Sequence, residues 1–227
     1  RLAENYEPYG ANGPIYEMKL KIANALIFSK WREALGGKVK AVASGSASLN
    51  PRLARVYNAA GIPVLEGYGL TETSPVVSVN QKENNGMKFG TTGRPIKDVQ
   101  VKIAEDGEIL VKGPNVMMGY YKRPDLTDEV LDKDGWLHTG DIGELVDGQY
   151  LRITDRKKEI FKTSGGKYVA PQIVENALTE SRFIEQAIVV GENKKHPSAL
   201  IVPSFEFLKD WCEIKGYKCG SKEEMIT

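Results

Sequence analysis

The chain has 227 residues, of which 41% are hydrophobic and 27% are charged, and its formal net charge is +1. This balance is typical of a globular protein and gives no strong field for polyanions, so we expect no nucleic-acid partner. No apolar run approaches the ~18 residues that a membrane-spanning helix needs, so we expect no transmembrane segment. The two cysteines, Cys212 and Cys219, lack metal-binding spacing and make no disulfide framework, which favours a cytoplasmic location.

Helices and short strands alternate in the first 95 residues. Apolar residues recur at helical spacing over residues 15–35 and predict an amphipathic helix. Val39–Ala43 and Ile62–Leu65 are short apolar segments that predict strands, and Asn50 is a good cap for a helix over Pro51–Ala60 between them. The strand–helix–strand order with short loops predicts a parallel α/β unit.

The pattern changes to that of antiparallel strands over residues 96–154. Apolar and polar residues alternate on both sides of the turn Glu105–Gly107, and again around the turn at Asp147 and Gly148. We therefore expect two hairpins that belong to an antiparallel barrel or sheet.

The remainder of the chain predicts a connector followed by a small domain. Residues 155–168 are rich in lysine and glycine, as is typical of a connecting segment. Beyond them we expect a helix from Pro171, strands over Ala187–Val190 and Ala199–Val202, and a helix over Phe205–Ile214 that Gly216 ends. The expected parts are 1–95 (part of an α/β domain), 96–154 (a β subdomain), 155–168 (a hinge and loop) and 169–227 (part of an α+β domain).

Groups that can bind a phosphate and a metal ion occur together in Gly67–Glu72. Its two glycines let the backbone turn sharply and present amide N–H groups to an anion. Thr71 can donate its hydroxyl to a phosphate oxygen, and Glu72 is a hard oxygen ligand suited to Mg²⁺. An ordinary glycine-rich turn with a solvated glutamate is the alternative.

Two later segments add to this one. Gly135–Asp141 ends in a carboxylate that can accept both hydroxyls of a ribose, and Asp155–Glu159 is strongly basic. In this order and at this spacing the three segments resemble the adenylate-forming enzymes, which activate a carboxylic acid with ATP. The segment Gly165–Pro171 resembles the long-chain fatty acid–CoA ligases more than the luciferases or the peptide-synthetase adenylation domains.

The resemblance implies a role for each candidate residue. Tyr68 would stack near the adenine, Thr71 would meet the α-phosphate, Glu72 would hold Mg²⁺, and Asp141 and Arg156 would contact the ribose. The nucleotide-binding set is Gly45, Ser46, Ala47, Gly67, Tyr68, Gly69, Thr71, Asp141 and Arg156. The catalytic candidates are Thr71, Glu72 and Lys162, the metal ligand is Glu72, the hinge is Lys158, and the loop facing coenzyme A is Ser164, Gly165, Gly166 and Lys167.

Several of these residues have plainer interpretations. Asp141 is also compatible with a turn, and Arg156 with an ordinary surface charge. Ser46 stands where the family more often has glycine, which a backbone role tolerates if φ is negative. His138 has no acid or nucleophile partner nearby in the sequence, and we interpret it as structural.

One glycine-rich segment is a misleading match to a phosphate loop. Gly90–Pro95 has the composition of such a loop, but Ile96 stands where a lysine is needed, and the segment follows Gly67–Glu72 instead of preceding it. We assign it no catalytic role.

The implied fold class is α/β plus antiparallel β: the end of a large adenylate-forming domain, with a parallel α/β unit and a β-barrel subdomain, followed by the start of a small α+β domain. The implied activity uses ATP, Mg²⁺, a fatty acid and coenzyme A, and yields an acyl-adenylate and then a thioester. The chain starts without Met and contains no phosphate loop of the expected kind, so we expect a fragment that is inactive alone. Peripheral membrane association of the longer enzyme is left open.

The sequence is compatible with two other functions. One is a different adenylate-forming enzyme, such as an aryl-acid or carrier-protein ligase. The other is a non-catalytic nucleotide-binding module that keeps only the fold.

Overall fold

The computed structural model describes residues 2–10, 12–222 and 224–225. The chain divides into two compact units, Arg1–Thr154 and Asp155–Thr227. The helices are α1 (Pro14–Ala23), a π-helical segment (Asn24–Phe28), α2 (Ser29–Ala34), α3 (Pro51–Ala59), α4 (Pro124–Val130), α5 (Pro171–Thr179) and α6 (Phe205–Lys215). Among the described residues, none of the helices combines the length and the apolar character that crossing a membrane requires.

Twelve strands accompany these helices in the described part of the chain. In the first unit they are β1 (Val42–Ser44), β2 (Val64–Gly69), β3 (Val76–Val79), β4 (Arg94–Pro95), β5 (Gln100–Ile103), β6 (Glu108–Lys112), β7 (Leu137–Val146) and β8 (Tyr150–Arg156), the last of which ends in the second unit. The others are β9 (Phe161–Lys162), β10 (Tyr168–Val169), β11 (Ile184–Val190) and β12 (Ser198–Pro203).

The predicted helix over 15–35 is present as α1, the π-helical segment and α2 in direct succession. Pro14 occupies the first turn, where its missing N–H costs no hydrogen bond. The Phe28 side chain packs in a small buried cluster, while most other apolar side chains of this helix are exposed. The buried members of the cluster are Ala3, Phe28, Ala59, Ala60 and Ile62.

The parallel α/β unit is confirmed by the pairing of β1 with β2, in which Val42 lies opposite Val64. Between these strands, the Asn50 side chain accepts a hydrogen bond from the Arg52 N–H at 2.9 Å and caps α3, as predicted. The predicted limits of β1 were wrong, because Val39 lies outside the strand and is exposed.

Strand β2 also runs further than predicted, since it continues through the glycines as far as Gly69. Both glycines accommodate the close approach of the antiparallel strand β3. A Cβ atom on Gly67 would lie 3.3 Å from the Ser78 carbonyl oxygen, and one on Gly69 would lie 1.6 Å from that of Pro75. The sharp turn expected at these glycines was therefore wrong: they permit close packing of strands.

The segment Gly90–Pro95 links the two sheets of the first unit. The Thr92 N–H donates to the Leu151 carbonyl oxygen, and the Leu151 N–H donates to that of Gly93, both at 2.8 Å. Gly93 has a φ of +81°, and a Cβ atom there would lie 2.3 Å from the backbone of Val79. The backbone of this segment thus connects the two sheets, which gives its glycines and threonines a structural role.

The two predicted hairpins are confirmed and join into one four-stranded antiparallel sheet in the order β5-β6-β7-β8. Asp147 and Gly148 both adopt positive φ in the second turn, as a tight hairpin requires. One face of the sheet covers a core whose buried members are Val77, Val99, Ile109, Val111 and Leu151. The sequence did not predict α4, which begins at Pro124 between β6 and β7.

The second unit contains the predicted helices and strands and one hairpin that was missed. The expected connector holds the short antiparallel pair β9 and β10, so it is not irregular throughout. The buried carboxylate of Asp155 accepts the Arg156 N–H at 2.7 Å and the Gln172 N–H at 3.2 Å, which anchors the start of α5. Strands β11 and β12 pair antiparallel, and Gly216 ends α6 in the left-handed conformation.

Candidate functional site

A hydrogen bond between Tyr68 and Asp141 brings two of the sequence motifs together. Tyr68 lies on β2 and Asp141 on β7, and the Tyr68 hydroxyl donates to Asp141 Oδ2 at 2.6 Å. Asp141 is only 6% exposed and Tyr68 is half-buried. An aromatic face and a carboxylate therefore lie side by side, as the recognition of an adenine and a ribose would require.

Neighbouring backbone and side chains hold Asp141 in place. The Asp141 N–H donates to Thr139 Oγ1 at 3.1 Å, and the Thr139 hydroxyl donates to the Ile109 carbonyl oxygen at 2.7 Å. Gly140 adopts a φ of +73°, and its N–H donates to Glu108 Oε1 at 2.9 Å. The position of Asp141 is thus set by bonds to strand β6.

His138 has an acidic partner that the sequence did not reveal. Its Nδ1 lies 3.2 Å from Oε2 of the buried Glu108, thirty residues earlier in the chain. Glu108 therefore contacts both His138 and the backbone of Gly140. This arrangement agrees with a structural role for His138.

Thr71 and Glu72 lie on a short 3₁₀ turn that follows β2. The fully buried hydroxyl of Thr73 accepts the Leu70 N–H at 2.9 Å and fixes this turn from within. The Thr71 side chain is exposed, and the Glu72 carboxylate accepts the Tyr120 hydroxyl at 2.7 Å. A hydroxyl and a carboxylate are thus presented next to the Tyr68 strand.

The loop Gly45–Ala47 is exposed and follows β1 directly. Ser46 adopts a φ of +66°, in the left-handed region that favours glycine. The negative φ on which we made the tolerance of serine conditional is therefore not present. The backbone conformation here is the one that a glycine would adopt without strain.

A buried carboxylate on β2 supports the same loop. Glu66 is 9% exposed, pairs with Ser44 across β1 and β2, and accepts the Leu49 N–H at 3.0 Å. Burial raises the pKa of Glu66 to about 7. The hydrogen bond from the Leu49 N–H lowers the pKa but offsets only part of this effect. Glu66 was not among the predicted site residues, because it follows Leu65, the predicted end of the strand.

The remaining candidates lie in the second unit. Arg156 ends β8 and is exposed, and Lys158 lies in the turn that the Glu159 N–H closes on the Arg156 carbonyl oxygen at 2.9 Å. Lys162 is on β9, with its Nζ 4.4 Å from the ring centroid of Tyr168. The candidate loop residues Ser164, Gly165, Gly166 and Lys167 form the tip of the β9–β10 hairpin and are exposed.

A bound Mg²⁺ would have few protein ligands here. Within the described ranges, no group of three or more His, Cys, Asp or Glu side chains is arranged to hold a metal ion. Mg²⁺ is commonly held by one or two carboxylates together with substrate phosphates and water. The single carboxylate of Glu72 fits that mode and does not fit an all-protein cage.

Two family models match the sequence. The model described as AMP-binding enzyme matches residues 12–121, and the model described as AMP-binding enzyme C-terminal domain matches residues 158–212. Gly67–Glu72 lies within the first match and Lys162 within the second.

Curated relatives cover most of this chain. It is 42% identical over 212 residues to the long-chain-fatty-acid–CoA ligase FadD15 of Mycobacterium bovis, which covers 93% of the chain and 35% of that protein. It is 38% identical over 213 residues to long-chain-fatty-acid–CoA ligase 1 of Homo sapiens, covering 88% and 30%. It is 40% identical over 209 residues to the peroxisomal long chain acyl-CoA synthetase 7 of Arabidopsis thaliana, covering 85% and 30%. The chain thus spans about a third of the length of these relatives.

Solved structures with the same fold include o-succinylbenzoate coenzyme A synthetase (MenE) of Bacillus subtilis. Its complex with AMP superimposes with a TM-score of 0.64 at 28% sequence identity, covering 91% of this chain and 49% of that one. Its complex with ATP and magnesium ion superimposes with a TM-score of 0.64 at 28% sequence identity, and the match covers 82% of this chain and 43% of that one. The mixed α/β and antiparallel architecture is therefore that of part of an adenylate-forming enzyme.

Proposed function

The chain belongs to the family of AMP-binding enzymes, and on that basis we propose that it is part of an ATP-dependent long-chain fatty acid–CoA ligase. The observation that carries this proposal is the Tyr68–Asp141 hydrogen bond, because it joins an aromatic ring and a buried carboxylate in a chain 42% identical to such ligases.

The proposed reaction has two steps. A carboxylate oxygen of the fatty acid attacks the α-phosphorus of ATP, and pyrophosphate leaves, which gives an acyl-adenylate. The thiolate of coenzyme A then attacks the acyl carbonyl carbon, and AMP leaves with the electron pair of the broken bond. Both steps depend mainly on positioning and on neutralisation of phosphate charge.

Different residues of the first unit bind different parts of the nucleotide. The ring of Tyr68 supports the adenine, the backbone of Gly45–Ala47 borders it, and Asp141 accepts the ribose hydroxyls. Thr71 donates its hydroxyl to the α-phosphate, and Glu72 holds Mg²⁺, which neutralises part of the phosphate charge when bound. Support comes from the exposure of Thr71 and from the carboxylate of Glu72 on the turn beside β2.

We assign the second unit to the thioester step. Arg156 adds a ribose contact, Lys158 is the hinge, and Lys162 is a catalytic candidate. The glycine-rich loop at the β9–β10 tip lines the path of coenzyme A. Its lack of side chains at Gly165 and Gly166 and its exposure are compatible with such a path.

Other acids are the main competing substrates. The likeness to o-succinylbenzoate coenzyme A synthetase is lower, at 28% identity, than that to the long-chain ligases. A panel of acids tested by pyrophosphate exchange on the longer enzyme would separate a fatty-acid ligase from an aryl-acid or carrier-protein ligase. Binding of AMP without any acid-dependent exchange would indicate a non-catalytic module. We retain the cytoplasm as the proposed location, although two relatives from Arabidopsis thaliana are named as peroxisomal.

The decisive experiment uses the 227-residue chain itself. Titration calorimetry should detect binding of AMP to the chain, and the affinity for ATP should rise when Mg²⁺ is added. In a separate turnover assay, the chain incubated with ATP, palmitate and coenzyme A should yield no acyl-CoA. We expect no turnover because Gly90–Pro95, the segment most like a phosphate loop, links two sheets instead. Absence of nucleotide binding by the folded chain would overturn the assignment of its first unit.

A matched pair of variants tests the metal ligand. Glu72→Gln keeps the size of the side chain but removes its charge, so the gain of ATP affinity with Mg²⁺ should disappear while AMP affinity is retained. Glu105→Gln, on an exposed turn, is the control and should behave as the parent chain does.

A further inference from the structure

Tyr120 is joined to Glu72 through its side chain. Its hydroxyl donates to Glu72 Oε1 at 2.7 Å, although the two residues are 48 positions apart in the sequence. No motif that points to Glu72 includes Tyr120, which lies before α4 in a segment without regular structure. The contact is therefore a tertiary one that the sequence does not reveal.

The backbone around Tyr120 is anchored on both sides. The Met117 N–H donates to the Glu72 carbonyl oxygen at 2.8 Å, and the Tyr120 N–H donates to Thr127 Oγ1 at 2.9 Å. Gly119 adopts a φ of +146°, and a Cβ atom there would lie 2.9 Å from the Thr127 side chain. Tyr120 thus approaches Glu72 from a fixed backbone.

A phenol that donates to one carboxylate oxygen restricts how the carboxylate rotates about its terminal bond. An exposed glutamate otherwise samples a broad range of this angle. The bond therefore favours one orientation of the Glu72 carboxylate.

We propose that Tyr120 is a positioning residue for the metal-binding carboxylate, and that its hydroxyl orients Glu72 to receive Mg²⁺ bound to a nucleoside triphosphate. This inference rests on the proposed function, since it takes Glu72 as the metal ligand. It predicts that Tyr120 affects the magnesium-dependent part of nucleotide binding and leaves the remainder unchanged.

The test compares two adjacent tyrosines in the 227-residue chain. Tyr120→Phe removes only the donating hydroxyl, while Tyr121→Phe removes the hydroxyl of a side chain that is 87% exposed. Titration calorimetry with ATP over a series of Mg²⁺ concentrations, and with AMP without Mg²⁺, gives the two readouts. Mg²⁺ should increase the affinity for ATP, and we expect Tyr120→Phe to raise the Mg²⁺ concentration that gives half of this increase about tenfold. A change of this size corresponds to the loss of one hydrogen bond to a charged group. Tyr121→Phe and the AMP affinity of both variants should match the parent chain.

A double-mutant cycle with Glu72→Gln separates positioning from general packing. If Tyr120 acts through Glu72, then Tyr120→Phe has no further effect on magnesium dependence once Glu72 is replaced. An unchanged magnesium dependence in Tyr120→Phe, or an equal loss of AMP affinity, would overturn the role of Tyr120. A parent chain that binds AMP but gains no ATP affinity from Mg²⁺ would overturn Glu72 as the ligand, and failure to bind any nucleotide would overturn the proposed function.

Discussion

The Tyr68 hydroxyl donates to Asp141 at 2.6 Å, and this bond spans 73 positions of the sequence. Tyr68 belongs to the sheet that starts with the parallel α/β unit, whereas Asp141 belongs to the antiparallel sheet. The candidate site therefore depends on the packing of two sheets and not on one local motif. Variants that weaken this packing should reduce nucleotide affinity without removing any contact to the nucleotide.

Replacement of Asp141 by alanine should weaken AMP binding at least about tenfold. Two charge-assisted hydrogen bonds to the ribose would be lost, each worth roughly 1.5–3 kcal/mol. Calorimetric titration measures the change, and Asp128→Ala, at an exposed position of α4, is the control. Affinities that agree within error for Asp141→Ala and the parent chain would return Asp141 to a turn or packing role.

Ser46→Gly should stabilise the chain by about 0.5–1 kcal/mol. The φ of +66° is strained for serine and relaxed for glycine, and the greater entropy of glycine in the unfolded chain offsets part of the gain. Urea denaturation gives the free energy of unfolding. Ser46→Ala keeps the Cβ atom and should show no such gain, so equal stabilisation by both substitutions would contradict the strain argument.

Glu66 should make the stability of the first unit depend on pH. Its pKa is about 7 in the folded state against an ordinary value of 4.5, so between these values the folded state holds a proton that the unfolded state has lost. Stability therefore falls as the pH rises through this window, by roughly 3 kcal/mol in total, and levels off above it.

The variant Glu66→Gln isolates this effect. Its amide oxygen can still accept the Leu49 N–H, but it carries no titrating proton. Denaturation midpoints at about pH 5 and about pH 8 should differ less for the variant than for the parent chain. The same pH dependence in both proteins would mean that another group is responsible.

Lys158→Pro should separate the two proposed half-reactions in the longer enzyme. Lys158 lies in an exposed turn directly after β8, and proline fixes its φ near −65°, which would hold a hinge close to one pose. We expect pyrophosphate exchange to persist while transfer from acyl-adenylate to coenzyme A falls by orders of magnitude. Lys158→Ala, which keeps the backbone free, controls for loss of the charge. Equal losses in both steps of a folded Lys158→Pro enzyme would place the hinge elsewhere.

Sequence patterns predicted the elements whose signals are local. The cap at Asn50, the tight turn at Asp147 and Gly148 and the stop at Gly216 each depend on the preferences of a few adjacent residues, and all three are present. The same holds for the parallel pairing of β1 and β2, since the short helical crossover between them limits the topology.

Features that depend on distant partners could not be predicted. The contact between Tyr68 and Asp141 follows from the packing of two sheets, and the contact between Glu72 and Tyr120 follows from a loop almost fifty residues later. The left-handed φ of Ser46 could not be predicted either, because serine gives no local signal for that conformation. Sequence periodicity carries no information about these approaches between segments.

Gly69 has an evolutionary consequence. A side chain at this position would collide with the backbone of Pro75 whether or not a nucleotide binds, so folding alone suffices to retain the glycine. A descendant that had lost its activity would still carry it. Thr71, whose side chain is exposed, is under no such constraint from packing and could drift once selection for its proposed phosphate contact ended. Among homologues of this chain, the residue at position 71 should therefore distinguish active enzymes from degenerate copies better than the glycines beside it.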